Sequence, residues 1–247
     1  MTARLFLLFP FSLLFITQLC SQIESTFETD SITRILYNYA EDDVPGIAVG
    51  VVKDGAILYE NYIGYANLTH RIKVSEKTRF NIASTAKQFT ALMILQLSIE
   101  GKLSLEDDIR KYLPTLYPKV KEDIKIRHLL NHSSGIRDYV ELLSLKGEIW
   151  WKQMGLDNDD ILELIAQQED LGFDPGSQYA YSNTGYVLLA KIVEAVTDEK
   201  FTDYSKNFFQ QIDMKETSFV ERYMGIIPNR AEPYYDWGNG KWMRTPT

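Results

Sequence analysis

The run Phe80-Asn-Ile-Ala-Ser84-Thr-Ala-Lys87-Gln-Phe89 constrains this chain most, because it sets a hydroxyl and an amine three residues apart at the start of a long apolar helix. Residues three apart on a helix share a face, with Cβ atoms about 5–6 Å apart, so a lysine amine reaches a serine oxygen. That pairing is the minimal form of an activated serine nucleophile. The helix is predicted from about Thr85 to Glu100 and closed by Gly101, where a C-terminal glycine fits. Leu92, Met93, Ile94, Leu95 and Leu97 leave it apolar almost all round, so it is expected to lie buried in the middle of the protein. Ser84 then stands where a core helix meets a cleft, with its backbone N–H near the positive end of the helix dipole. A second reading makes Thr85 the N-cap and Gln88 its capping-box partner, which leaves Ser84 an ordinary residue before a helix.

Composition narrows the rest. With 45% hydrophobic and 24% charged residues, the 247-residue chain is globular rather than disordered, long enough for one large domain or two packed lobes. A net charge of -8 without a basic cluster argues against nucleic acid as a partner. Arg4 and the apolar stretch Leu5 to Ile16 form a secretory signal over residues 1–21, too short to span a bilayer. The remaining domain is residues 22–247, secreted or periplasmic. Cys20, the one cysteine, is removed by cleavage after it or else carries a lipid anchor, and a mass measurement of the mature N-terminus separates the two.

Ser31 to Tyr39 is predicted as a helix. Ile47 to Val52 and Ile57 to Ile63 flank Lys53-Asp54-Gly55 as a β-hairpin. Further helices are predicted near Leu105 to Tyr112, Ile126 to Asn131, Ile161 to Gln168, Thr184 to Val196 and Phe201 to Gln211. The acids Asp157 to Asp160 lack the spacing of a calcium loop and read as a helix N-terminus. His128 and His132 form an i,i+4 pair, but Leu129 stands where a zinc-protease helix needs Glu, so they read as structural at a helix end before Ser133-Ser-Gly135. No metal site is expected.

A second element is Gly176-Ser-Gln-Tyr-Ala-Tyr181-Ser-Asn183-Thr-Gly185, a turn that leads into an apolar helix and so holds Tyr181 and Asn183 on a rigid support. The plainer reading is that Ser182 or Asn183 caps that helix. Tyr65-Ala-Asn67 is a second copy of the triplet, but it precedes the serine.

Ser84-Thr-Ala-Lys87, His128-Leu-Leu-Asn-His132-Ser-Ser-Gly135 and Tyr181-Ser-Asn183 together resemble, in order and spacing, the serine β-lactamase and penicillin-binding-protein superfamily. The branch they resemble holds class C β-lactamases, D-alanyl-D-alanine carboxypeptidases and esterases. The resemblance spans about Val44 to Pro228. It implies an α/β (α+β) fold, an antiparallel sheet flanked by helices plus a mostly helical lobe, with no cofactor. It also implies Ser84 as the acylated nucleophile, Lys87 as its activating amine, Tyr181 as the proton-exchanging phenol and Asn183 as the side chain that holds a substrate amide. Either a desolvated Lys87 or a Tyr181 phenolate beside cationic Lys87 can take the serine proton, and the sequence leaves both open.

The third motif of that superfamily, Lys-Thr-Gly or His-x-Gly on a later strand, has no counterpart after Asn183. The chain therefore reads as a fragment lacking C-terminal strands, with an unpaired sheet edge and one oxyanion donor missing, a loss of about 10²–10³ in rate. These residues alone are expected to be poorly folded or nearly inactive, checked by turnover of nitrocefin or an ester. Three function classes follow: a serine hydrolase acting on a β-lactam, D-amino-acid peptide or ester; a noncatalytic binding protein or pseudoenzyme of the same fold; and a metal-dependent hydrolase. Trp150 and Trp151 read as lobe packing rather than cleft lining.

Overall fold

A computed structural model describes residues 29–38, 43–148, 155–221, 225–238 and 240–245. The signal segment, Cys20, Trp150 and Trp151 lie outside the described residues. The chain divides into two compact units, Met1–Glu76 and Lys77–Thr247.

In the first unit, helix α1 (Thr29–Tyr37) precedes strands β1 (Ile47–Lys53) and β2 (Ala56–Ile63), antiparallel in register from Ile47↔Ile63 to Lys53↔Ala56 with a bulge at Val51/Val52. Asp54 and Gly55 take φ of 52° and 78°, the two left-handed residues that a primed two-residue hairpin turn demands. Leu36 and Ile63 form a small core with Ile32, Val44, Ile47, Val49 and Tyr59. Strands β3 (Tyr65–Asn67) and β4 (Ile72–Lys73) make a second antiparallel pair.

The second unit is the helical lobe. Its helices are α2 (Lys87–Ile99), α3 (Ile126–Leu130), α4 (Tyr139–Leu145), α5 (Asn158–Ala166), α6 (Asn183–Thr197) and α7 (Phe201–Gln211), followed by the antiparallel pair β5 (Tyr234–Asp236) and β6 (Trp242–Arg244). Helix α6 is the centre and packs against α2, α3, α4, α5 and α7. Leu188, Leu189, Ile192 and Val193 of α6 meet Met93, Ile94, Leu97, Leu129, Ile165 and Phe209, all almost wholly buried. Each such side chain contributes about 1.5–3 kcal/mol of burial. The expected antiparallel pairing is present among the described residues as three two-stranded sheets.

Two expectations change. Helix α2 buries Thr90, Met93, Ile94 and Leu97, but Leu92, Leu95 and Ile99 are exposed, so only one face is covered. The predicted helix at Leu105 to Tyr112 shrinks to a 3₁₀ turn, Ile109–Lys111. Asp108 there keeps an extended backbone and caps Arg110 N–H, while the Arg110 guanidinium donates to the carbonyls of Val120 and Glu122. Side-chain bonds to a distant loop win over local helical periodicity. Asp157 caps α5 through Asp159 and Asp160 N–H, and Asp160 reaches back to Asp157 N–H, which is the acidic helix start the sequence indicates.

Candidate active site

The residues of the candidate site all lie within the second unit. Asn81 accepts a hydrogen bond from Ala83 N–H at 2.9 Å, and Ala83 adopts φ of 47°, a left-handed backbone uncommon for a residue with a side chain. A single 3₁₀ turn, Ala83–Ala86, then delivers Ser84 and runs directly into α2, whose first residue is Lys87. Thr85 makes no side-chain cap; Gln88 instead donates to Thr85 carbonyl at 2.9 Å. Ser84 is exposed and Lys87 half-buried.

On the other side, Ser182 is the N-cap of α6, its hydroxyl accepting from Gly185 N–H at 3.2 Å. That leaves Tyr181 just outside the helix and Asn183 at its first position. The tyrosine is 44% exposed. Its hydroxyl donates to Ser84 Oγ at 2.8 Å. Lys87 Nζ donates to Ser84 Oγ at 3.1 Å and to Asn183 Oδ1 at 2.9 Å, and it lies 4.9 Å from the centre of the Tyr181 ring. The four residues singled out from sequence therefore form one connected polar cluster, although 97 positions separate Ser84 from Tyr181. Burial pushes the Tyr181 phenol up, yet hydrogen bonding at its oxygen and the Lys87 charge outweigh that and hold it below the ordinary tyrosine value.

Residues that sequence reasoning missed hold this cluster in place. Asp138, almost buried, caps α4 by accepting Val140 N–H at 2.9 Å through Oδ1, while its Oδ2 accepts the N–H of Asn183. Thr184 Oγ1 accepts from Tyr139 N–H at 2.7 Å and donates to Arg137 carbonyl at 3.0 Å. The starts of α4 and α6 are thus tied to each other by side chains. The spacing Asp138-Tyr-Val-Glu141 ahead of an apolar run is a helix-start signal that could have pointed to Asp138.

The two histidines of the i,i+4 pair each accept a backbone hydrogen bond at Nδ1, His128 from Lys125 and His132 from Ser182, both at 3.2 Å. Among the described residues no three His, Cys, Asp or Glu side chains gather as a metal site. Gly135 closes the turn after them with φ of 74°, and a Cβ there would sit 2.0 Å from Phe173 carbonyl oxygen, so only glycine fits. Tyr65 and Asn67 stand in β3 of the other unit, with Tyr65 hydroxyl accepting from Arg71 at 2.7 Å.

The family model for β-lactamase matches residues 32–242. The chain belongs to the β-lactamase family. A penicillin-binding protein of Bacillus subtilis (strain 168) is 36% identical over 182 residues, covering 73% of this chain and 39% of that protein. The octameric penicillin-binding protein homologue from Pyrococcus abyssi superimposes with a TM-score of 0.72 at 29% identity, covering 88% of this chain and 49% of that one. EstCE1, a hydrolase with promiscuous acyltransferase activity, follows at 0.70 and 25% identity, with 87% and 57% covered. The chain spans about two-fifths of the length of the curated relatives it matches. Its fold is of the β-lactamase/transpeptidase type, mixed α and β. No described helix is long and apolar enough to cross a membrane.

Proposed function

We propose that this β-lactamase-family chain carries the nucleophilic centre of a secreted or periplasmic serine hydrolase that works through an acyl-Ser84 intermediate. One observation carries the reading: Ser84 Oγ is shared by the Tyr181 hydroxyl and the Lys87 ammonium. A serine hydroxyl is a weak nucleophile until a base takes its proton, and a phenol held below its ordinary value beside a cation is suited to that work.

In the resting arrangement Tyr181 donates to Ser84; once ionised it accepts instead. Tyr181 phenolate then takes the Ser84 proton as Oγ bonds to the substrate carbonyl carbon, and Lys87 balances the charge. Ser84 N–H, at the start of a 3₁₀ turn where helical N–H groups have no internal partner, donates to the developing oxyanion. Asn183 spends its oxygen on Lys87, which leaves its amide N–H₂ for a substrate carbonyl. Collapse of the tetrahedral adduct breaks the bond to the leaving group, which receives the proton from Tyr181. Water then attacks acyl-Ser84 with Tyr181 again as base, and the second adduct collapses by breaking its bond to Ser84 Oγ, which regains its proton from Tyr181 as the acid product leaves. The substrate is a small carbonyl compound or peptidoglycan-type peptide: a β-lactam, a D-amino-acid peptide or an ester. The penicillin-binding relatives and EstCE1 support that range.

The test is covalent labelling with a fluorescent penicillin or a fluorophosphonate. Wild type should take the label and Ser84→Ala should not. Equal labelling of both rules out the acyl-Ser84 reading and leaves the noncatalytic alternative.

A further inference from the structure

We propose that His132 is a positioning residue: its carbonyl and its neutral imidazole fix the backbone on both sides of Tyr181, so that protonating this ring releases the phenol from Ser84. The inference rests on the acyl-Ser84 reading for its effect on chemistry, but its structural half stands without it.

His132 occupies a place where local preference is against it. Helix α3 ends with Ser133 N–H donating to His128 carbonyl at 2.8 Å and His132 N–H to Leu129 carbonyl at 3.3 Å, with His132 at φ of 59°. That paired closure puts a left-handed residue at the position glycine normally fills, where a side chain is disfavoured. The neighbours show what the imidazole does in return. His132 carbonyl accepts Ala180 N–H at 2.9 Å, and His132 Nδ1 accepts Ser182 N–H at 3.2 Å. These two amides flank Tyr181 and lie two residues apart, on one edge of an extended segment. The ring also lies 4.6 Å from the Tyr181 ring, at a tilt of 38°, with Tyr179 and Tyr186 at 5.9 and 5.3 Å.

To accept at Nδ1 the ring must be neutral and carry its hydrogen on Nε2. A proton on Nδ1 would set two N–H donors against each other at Ser182, the residue that caps α6 and precedes Asn183. The charged groups around the ring act accordingly. Burial first, then the Lys87 ammonium, pull His132 below the ordinary histidine value; the Asp138 carboxylate acts the other way, and the three tyrosines complete the surroundings. Neutral His132 thus holds Tyr181 in place at pH 7 and lets go in acid.

The experiment is an NMR pH titration of the 247-residue chain, with acylation of Ser84 by a fluorescent penicillin followed in parallel. Wild type is set beside His132→Asn, whose side-chain oxygen replaces Nδ1 and which tolerates the left-handed backbone, and His132→Phe, which keeps a ring without an acceptor. The Ser182 amide should shift with the same midpoint as the His132 ring, below the ordinary histidine value, and His132→Asn should abolish that step. Wild-type acylation should lose a further factor of about ten below the midpoint, a loss absent from His132→Asn, and His132→Phe should acylate about tenfold more slowly than wild type above the midpoint and show no such step. A Ser182 amide indifferent to His132 protonation, or a His132→Phe chain acylating like wild type, overturns the proposal. A linked amide titration in a chain whose Ser84 takes no probe supports the positioning role and counts against the hydrolase reading alone.

Discussion

The chain contains the triplet tyrosine, any residue, asparagine twice, and the two copies do different things. Tyr65 is almost buried in a strand, its hydroxyl bound by Arg71 and its ring flanked by Arg71 at 4.8 Å and Lys73 at 4.1 Å. Asn67 accepts His70 N–H at 2.8 Å and shapes a turn. Tyr181 is also beside a lysine, at 4.9 Å, but its oxygen is exposed and faces a serine. A cation near a phenol is therefore not what makes a site. What differs is the partner at the oxygen: a fixed guanidinium in one case, a hydroxyl with a proton to lose in the other.

That contrast can be broken by matched substitutions. Lys87→Ala should slow Ser84 labelling by about 10²–10³, because it removes the charge that supports the phenolate, while Lys73→Ala leaves labelling unchanged. Comparable losses from both would erase the difference between the copies. Asn183→Ala should cost about tenfold in labelling, having lost the bond to Lys87, whereas Asn67→Ala should lower only the melting temperature, by the worth of one turn hydrogen bond, about 0.5–1.5 kcal/mol. Tyr65→Phe should be milder still, under about 1 kcal/mol, since its partner Arg71 is largely exposed.

A further effect concerns acid stability, away from both copies. Asp107 accepts from Tyr112 hydroxyl, Ser104 N–H and Lys111, which hold its carboxyl down at about 2. A depressed carboxylate contributes stability above its unfolded value near 4, and that contribution fades as pH falls through about 2. Melting temperatures of wild type and Asp107→Asn should therefore converge in acid and separate near neutrality.

How far the sequence reached follows the same divide between local and distant partners. The hairpin was legible because Asp54-Gly55 encodes its own turn, and α7 because its apolar period and its bounds lie in one segment. The gathering of Ser84, Lys87, Tyr181 and Asn183 was legible in their order and spacing. The 3₁₀ turn at Ile109 was not, because Arg110 answers to carbonyls ten and twelve residues away. Asp138 escaped for a like reason: it looks like an ordinary helix-end residue until α6 is brought beside it. The exposed side of α2, with Leu92 and Leu95, shows the limit of apolar count as a guide to burial.

The central claim is that Ser84, Lys87 and Tyr181 act as one unit, and the pH dependence of Ser84 acylation in wild type and Tyr181→Phe tests it most directly. The wild-type rate should climb with pH along a limb below the ordinary tyrosine value, and the Phe variant should be slower by about 10²–10⁴ and lack the limb. A Phe variant that keeps both the rate and the limb would contradict it.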